Sequence, residues 1–170
     1  IYGSLKHGAR AKDFEIAIQW LVDAGLVYKV PLCKEVKLPL KVYEDPTAFK
    51  LFTLDLGLLG AMVGTEAKQV LIKNDIFSEY KGGMTEQYVL EEMKSNGEEN
   101  IFYHKSDDGT RLEIDFMIQR DGKLLPIEVK AEGNVRANSL SNLLKQTPEL
   151  HAFRYSMKPY IEQEQMTCYP

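Results

Sequence analysis

The sequence is poor in the residues that build the commonest disulfide and metal frameworks. It has two cysteines in 170 residues, Cys33 and Cys168, with no Cys-x-x-Cys pair and no histidine beside them at ligand spacing. That excludes a disulfide framework and a zinc-finger type of site, and both thiols are expected to be buried. The three histidines, His7, His104 and His151, are scattered. With no serine or cysteine motif to serve, they read as surface or strand residues. No apolar run approaches the ~20 residues that a membrane-spanning helix needs, and Ile1 to Lys6 lacks the apolar stretch of a signal peptide. A cytoplasmic protein with no membrane partner is the expectation. No Gly-x-x-x-x-Gly-Lys loop occurs, so ATP binding by that route is excluded. There is no initiating methionine, and Met166-Thr167-Cys168-Tyr169-Pro170 reads as a strand cut short, so a fragment of a larger protein is expected.

What the chain does have suits a globular fold. Hydrophobic residues make up 44% and charged residues 27%, enough apolar material for one domain or two small ones. The formal net charge of −4 is uneven: residues 1–50 carry 8 Lys/Arg against 6 Asp/Glu, and the remainder 13 against 19. Affinity for a phosphate backbone comes largely from Lys and Arg, so an acidic remainder points to weak or metal-assisted contact with nucleic acid.

Residues 13–24 place Phe14, Ala17, Ile18, Leu21 and Val22 at helical period, with Gly25 as the stop. Residues 26–30 then read as a strand, with residues 36–43 returning beside it after Pro31. This is either a winged-helix module or a plain helix packed on the rest. Residues 49–54 read as a short strand, followed by a turn or helix that holds Leu56, Leu58 and Leu59, with Asp55 as the capping residue. Gly82-Gly83 is expected to break the chain before a helix from Met84 to Lys94, with Met84, Tyr88, Val89 and Met93 on its buried face. Strands follow at residues 101–105, 111–119 and 124–131, a helix at 139–146 with Leu140, Leu143 and Leu144 inward, and a strand at 152–157. The order is α-β-β-β-α-β.

Chemistry enters through the second and third of those strands. Leu112, Ile114, Phe116 and Ile118 alternate with Glu113 and Asp115, while Glu128 and Lys130 alternate with Ile127 and Val129. A two-residue turn at Asp121-Gly122 pairs Arg120 with Lys123, and the same register sets Asp115 opposite Glu128, Glu113 opposite Lys130, Ile114 opposite Val129 and Phe116 opposite Ile127. Two facing carboxylates repel unless one is protonated or a cation lies between them. Oxygen ligands of this kind suit Mg²⁺ or Mn²⁺, and Lys130 beside such an ion is placed to orient water and stabilise charge in phosphodiester hydrolysis. A plain ion pair between Lys130 and Glu113, worth roughly 0.2–1 kcal/mol, accounts for the same pattern without any metal. Glu86, near the helix start, is either a third ligand at the helix edge or a partner of the helix dipole.

On these residues the chain resembles the C-terminal domain of unknown function found behind the ATPase domain in predicted AAA+ superfamily ATPases of bacteria and archaea. The carriers are residues 18–27, 49–59 and 82–93, then Leu112-Glu113-Ile114-Asp115-Phe116 and Leu125-Pro126-Ile127-Glu128-Val129-Lys130-Ala131. That family is in turn similar to the PD-(D/E)XK nucleases. The resemblance implies an α/β fold with a restriction-endonuclease-like core at residues 76–170, preceded by a helical, winged-helix-like segment and connector at 1–75. It implies a metal-dependent DNA nuclease whose catalytic set is Glu86, Asp115, Glu128 and Lys130, with Glu86, Asp115 and Glu128 as ligands of Mg²⁺ or Mn²⁺. DNA and an upstream ATPase domain are the implied partners, and a non-cleaving module that binds nucleic acid or protein is the alternative. The sequence departs from RecB-like relatives in lacking their Gln-x-x-x-Tyr helix, since Gln146 is followed four positions later by Leu150.

Overall fold

A computed structural model describes residues 14–64, 78–106, 112–131 and 138–170. Among these residues there are four α-helices, one 3₁₀ turn and eight strands. Helix α1 (Glu15–Asp23) ends where Gly25 takes a φ of +69°, a conformation glycine reaches without steric cost. Of its expected apolar face only Ile18 is buried, and Trp20 is 75% exposed.

Strand β1 (Val27–Cys33) continues through Pro31, with a register shift between Pro31 and Leu32. A proline is tolerated in a strand at such an irregularity, because the missing N–H is not then required by the ladder. The returning strand is not residues 36–43, which form a loop and a 3₁₀ turn (Leu40–Tyr43); it is β2 (Glu44–Thr53). Helix α2 (Leu56–Val63) follows, and Asp55 caps it as expected, its Oδ1 accepting the Leu58 N–H at 2.7 Å.

Helix α3 (Ser78–Ser95) runs straight through Gly82 and Gly83, contrary to the break expected there. Tertiary packing outweighs local propensity: Val89 and Leu90 are buried against the sheet, while Tyr88, expected inside, is half exposed and Gln87 takes a buried place instead. Strands β3 (Phe102–Lys105), β4 (Glu113–Arg120) and β5 (Lys123–Lys130), helix α4 (Asn138–Gln146) and strand β6 (Ala152–Ser156) complete the expected α-β-β-β-α-β order. Two further strands, β7 (Ile161–Glu162) and β8 (Met166–Tyr169), follow it.

All eight strands form one sheet in the order β2-β1-β3-β4-β5-β6-β8-β7. Because β1 pairs in parallel with β3, the β1–β2 ribbon extends the sheet of the later strands. Each face carries its own core. On one, Leu140, Leu143 and Leu144 of α4 pack with Cys33, Phe102, Ile114, Met117 and Leu124. On the other, Val89 and Leu90 of α3 pack with Phe52, Tyr103, Phe116, Ile118, Ile127 and Val129. Burial of each such large side chain stabilises the fold by about 1.5–3 kcal/mol. Both cysteines are free and buried, as expected. No helix among the described residues is long and apolar enough to cross a membrane.

Candidate functional site: a bulged strand and its charged cluster

The β4–β5 turn forms as its sequence demands. Asp121 and Gly122 both have positive φ, 51° and 71°, which matches the right-handed twist of the flanking strands. From there the expected register holds through Arg120–Lys123, Gln119–Leu124, Ile118–Leu125, Met117–Pro126 and Phe116–Ile127. The described ladder stops at that last pair, one step short of Asp115 and Glu128. Instead the Val129 N–H donates to Asp115 Oδ2 at 2.8 Å, so a carboxylate takes the place of a ladder carbonyl.

The other side of β4 explains the change. Between Phe102 and His104, strand β3 advances two residues, while β4 advances three, from Met117 to Ile114. One extra residue therefore sits in β4 at Asp115–Phe116, a β-bulge. The bulge breaks the strict alternation expected from the sequence: Ile114 joins Met117 in the α4-side core, whereas Phe116 and Ile118 belong to the α3-side core. The expected pairing of Ile114 with Val129 is thus not made. Asp115 is turned to the α3 side, where the charge of Glu86 acts on it. Glu128, alternating with Ile127 and Val129 of the α3-side core, takes the α4 side.

The two carboxylates consequently meet different surroundings. Burial first, and then the negative charge of Glu86, push the Asp115 carboxyl up from 3.8 to about 6, against the opposing pull of the Val129 N–H, Lys130 and Lys50. Glu128 is more deeply buried, at 3% exposure, but its oxygens are taken by cations. Lys130 Nζ lies 3.0 Å from Oε1, and Arg154 of β6 approaches Oε2 at 3.3 Å through both Nε and Nη2. Lys130 is the member common to both, in contact with Glu128 and within the field of Asp115.

Glu113 does not pair with Lys130. Its Oε1 lies 3.0 Å from Lys50 Nζ, which is also 3.6 Å from Glu86 Oε2 and sits over the Tyr103 ring at 5.1 Å. Burial alone would lower the Lys50 pKa, but Glu86, Glu113 and Asp115 together raise it. Among the described residues, no three or more of His, Cys, Asp and Glu gather closely enough to hold a metal ion. Oxygen donors for a hard cation are nonetheless present on the α3 side, in Asp115 and Glu86, whose mutual repulsion such a cation relieves. Glu128 lies on the α4 side, its oxygens taken by Lys130 and Arg154.

Sequence reasoning missed Lys50 and Arg154. Each carries a signal visible in hindsight: a lone cation in the middle of an apolar strand, as in Phe49-Lys50-Leu51-Phe52 and Ala152-Phe153-Arg154-Tyr155. Such a charge is paired when buried.

Two family models match the chain. A domain of unknown function (DUF4143) matches residues 81–168, and a second domain of unknown function (DUF8612) matches residues 1–69. No curated protein and no solved structure matches it.

Proposed function

The chain belongs to the DUF4143 family, and within it we propose a metal-dependent phosphodiester hydrolase domain of the PD-(D/E)XK type that acts on DNA as part of a larger ATPase-type protein. The observation that carries this reading is the Asp115 carboxyl, set on a bulge where the described β4–β5 ladder ends and pushed up to about 6 by burial and by Glu86. Asp115 and Glu86 repel each other at this irregularity although Lys50 stands 3.6 Å from Glu86, and a divalent cation would relieve that repulsion more fully than a single ammonium. Asp115 and Glu86 are the residues to hold Mg²⁺ or Mn²⁺, and the ion would supply Lewis-acid polarisation of a phosphate oxygen and an acidified water. Lys130, at the end of β5 and within the field of Asp115, would orient such a water and offset negative charge on phosphate. Glu128, on the α4 side, holds Lys130 in place at 3.0 Å. The α-β-β-β-α-β order and the pairing of β4 with β5 support the superfamily resemblance.

One observation favours a second reading, a non-cleaving module that binds nucleic acid or protein for the ATPase. Glu128 is neutralised within the chain by Lys130 and Arg154, as in a structural ion cluster. Incubation with supercoiled plasmid and single-stranded DNA, in Mn²⁺ or in EDTA, separates the two. The hydrolase reading expects cutting in Mn²⁺ that Asp115→Ala abolishes. Intact DNA under all conditions leaves the binding module, and cutting that survives the substitution overturns the proposed site.

A further inference from the structure

Lys50 lies outside the α-β-β-β-α-β unit, on the edge strand β2, yet its ammonium stands among the carboxylates of that unit. It is 3.0 Å from Glu113 on β4 and 3.6 Å from Glu86 on α3. The placement is fixed from both sides. Three residues along β2, the backbone of Thr53 is tied to α3 by the buried Gln87, whose Oε1 accepts the Thr53 N–H at 3.0 Å and whose Nε2 donates to the Thr53 carbonyl at 2.7 Å. Gln87 is the neighbour of Glu86, so the same tie that docks β2 on α3 sets Lys50 beside Glu86. The Tyr103 ring beneath the ammonium, 5.1 Å away, adds a cation–π contact. At 25% side-chain exposure the ammonium has little water to replace the carboxylates if it leaves them.

We infer that Lys50 is the internal counter-cation of Glu86 and Glu113, close enough to act on Asp115, and that it yields Glu86 when a divalent cation binds between Glu86 and Asp115. The β1–β2 ribbon then does more than extend the sheet: it sets the metal affinity of a site built by other elements. This inference rests on the metal reading of the preceding subsection. An ammonium offers one positive charge and hydrogen bonds at about 3 Å, whereas Mg²⁺ or Mn²⁺ offers two at about 2 Å. The two cations therefore compete for Glu86, and the lysine lowers the affinity of the pocket by repulsion as well as by occupancy.

The test is calorimetric titration of the chain with Mn²⁺ alone, comparing wild type, Lys50→Met and Lys50→Arg, with folding checked by circular dichroism. Lys50→Met is expected to bind Mn²⁺ on the order of tenfold more tightly, a factor set by about 1.4 kcal/mol, and Lys50→Arg to behave as wild type because it keeps the charge. In EDTA, Lys50→Met is expected to melt below wild type, and added Mn²⁺ to restore it, since the metal replaces the lost cation. If the single variant does not fold, Glu113→Gln is compared with Lys50→Met/Glu113→Gln, which leaves one carboxylate fewer uncompensated, and the same tightening is expected between them. Wild type that binds Mn²⁺ with an affinity Lys50→Met leaves equal or weakens overturns the lysine's role and keeps the metal site. Absence of binding from every variant overturns both.

Discussion

Asp115 and Glu128 stand on neighbouring strands of one hairpin, and the structure treats them oppositely. Glu128 is the more buried of the two, yet Lys130 and Arg154 each lie against one of its oxygens. Asp115 keeps a partial opening to solvent and the N–H of Val129, but it sits in the field of Glu86 and its pKa rises to about 6. Depth of burial is therefore a poor guide to which carboxylate is left with a raised pKa. What matters is whether the charge is matched within the fold.

The largest effect that tests this contrast comes from unmatching Glu128. Arg154→Met keeps the volume and removes the guanidinium, leaving a carboxylate buried with one partner; a loss of about 3–5 kcal/mol is expected, read by urea denaturation at pH 7. A loss under about 1 kcal/mol means that Lys130 alone satisfies Glu128, and the contrast weakens.

Asp115→Asn should act in the other direction. A carboxyl raised in the folded state contributes stability that is present below its ordinary value of 3.8 and is lost as pH rises through about 6. The amide cannot ionise, so the variant is expected to gain up to about 3 kcal/mol over wild type at pH 8, with the gain vanishing below about pH 4. Thermal melts across that range check it, and a pH-independent difference breaks the argument.

The far end of the hairpin supplies the next test. Gly122 has φ +71°, so Gly122→Ala is expected to cost about 1–2 kcal/mol. Because that turn sets the register that delivers Asp115 to the bulge, the same variant should also weaken any Mn²⁺ binding. A change in stability alone would show that the bulge, rather than the turn, fixes Asp115.

The smallest effect sharpens the comparison by chemistry. Arg120 meets Glu98 at 2.7 Å, the same residue types as Arg154 and Glu128, but with the arginine 59% exposed. Arg120→Ala is expected to cost only about 0.2–1 kcal/mol, a difference that added salt narrows further.

Much of the local structure was legible in the residue order. The Asp121-Gly122 turn, the Asp55 cap, the apolar face of α4 and the register from Arg120–Lys123 to Phe116–Ile127 each depend on neighbours in sequence or on one hairpin. The expectations that fell did so for reasons of packing at long range. Gly82-Gly83 breaks no helix, because α3 is held by the sheet it covers, and Gln87 displaces Tyr88 from the buried face to reach Thr53 of β2.

The candidate site divides along the same line. By itself the sequence singled out Glu86, Asp115, Glu128 and Lys130 as candidates, and determined the alternation that sets Glu128 against Ile127 and Val129. Tertiary structure alone decided that a bulge against β3 turns Asp115 toward α3, that Arg154 from β6 neutralises Glu128, and that Lys50 from β2 enters the acidic pocket. Period-2 alternation is a property of one strand and can be read from it. A bulge, a crossover partner and a lysine from the sheet edge depend on contacts between segments tens of residues apart, and no local pattern encodes them.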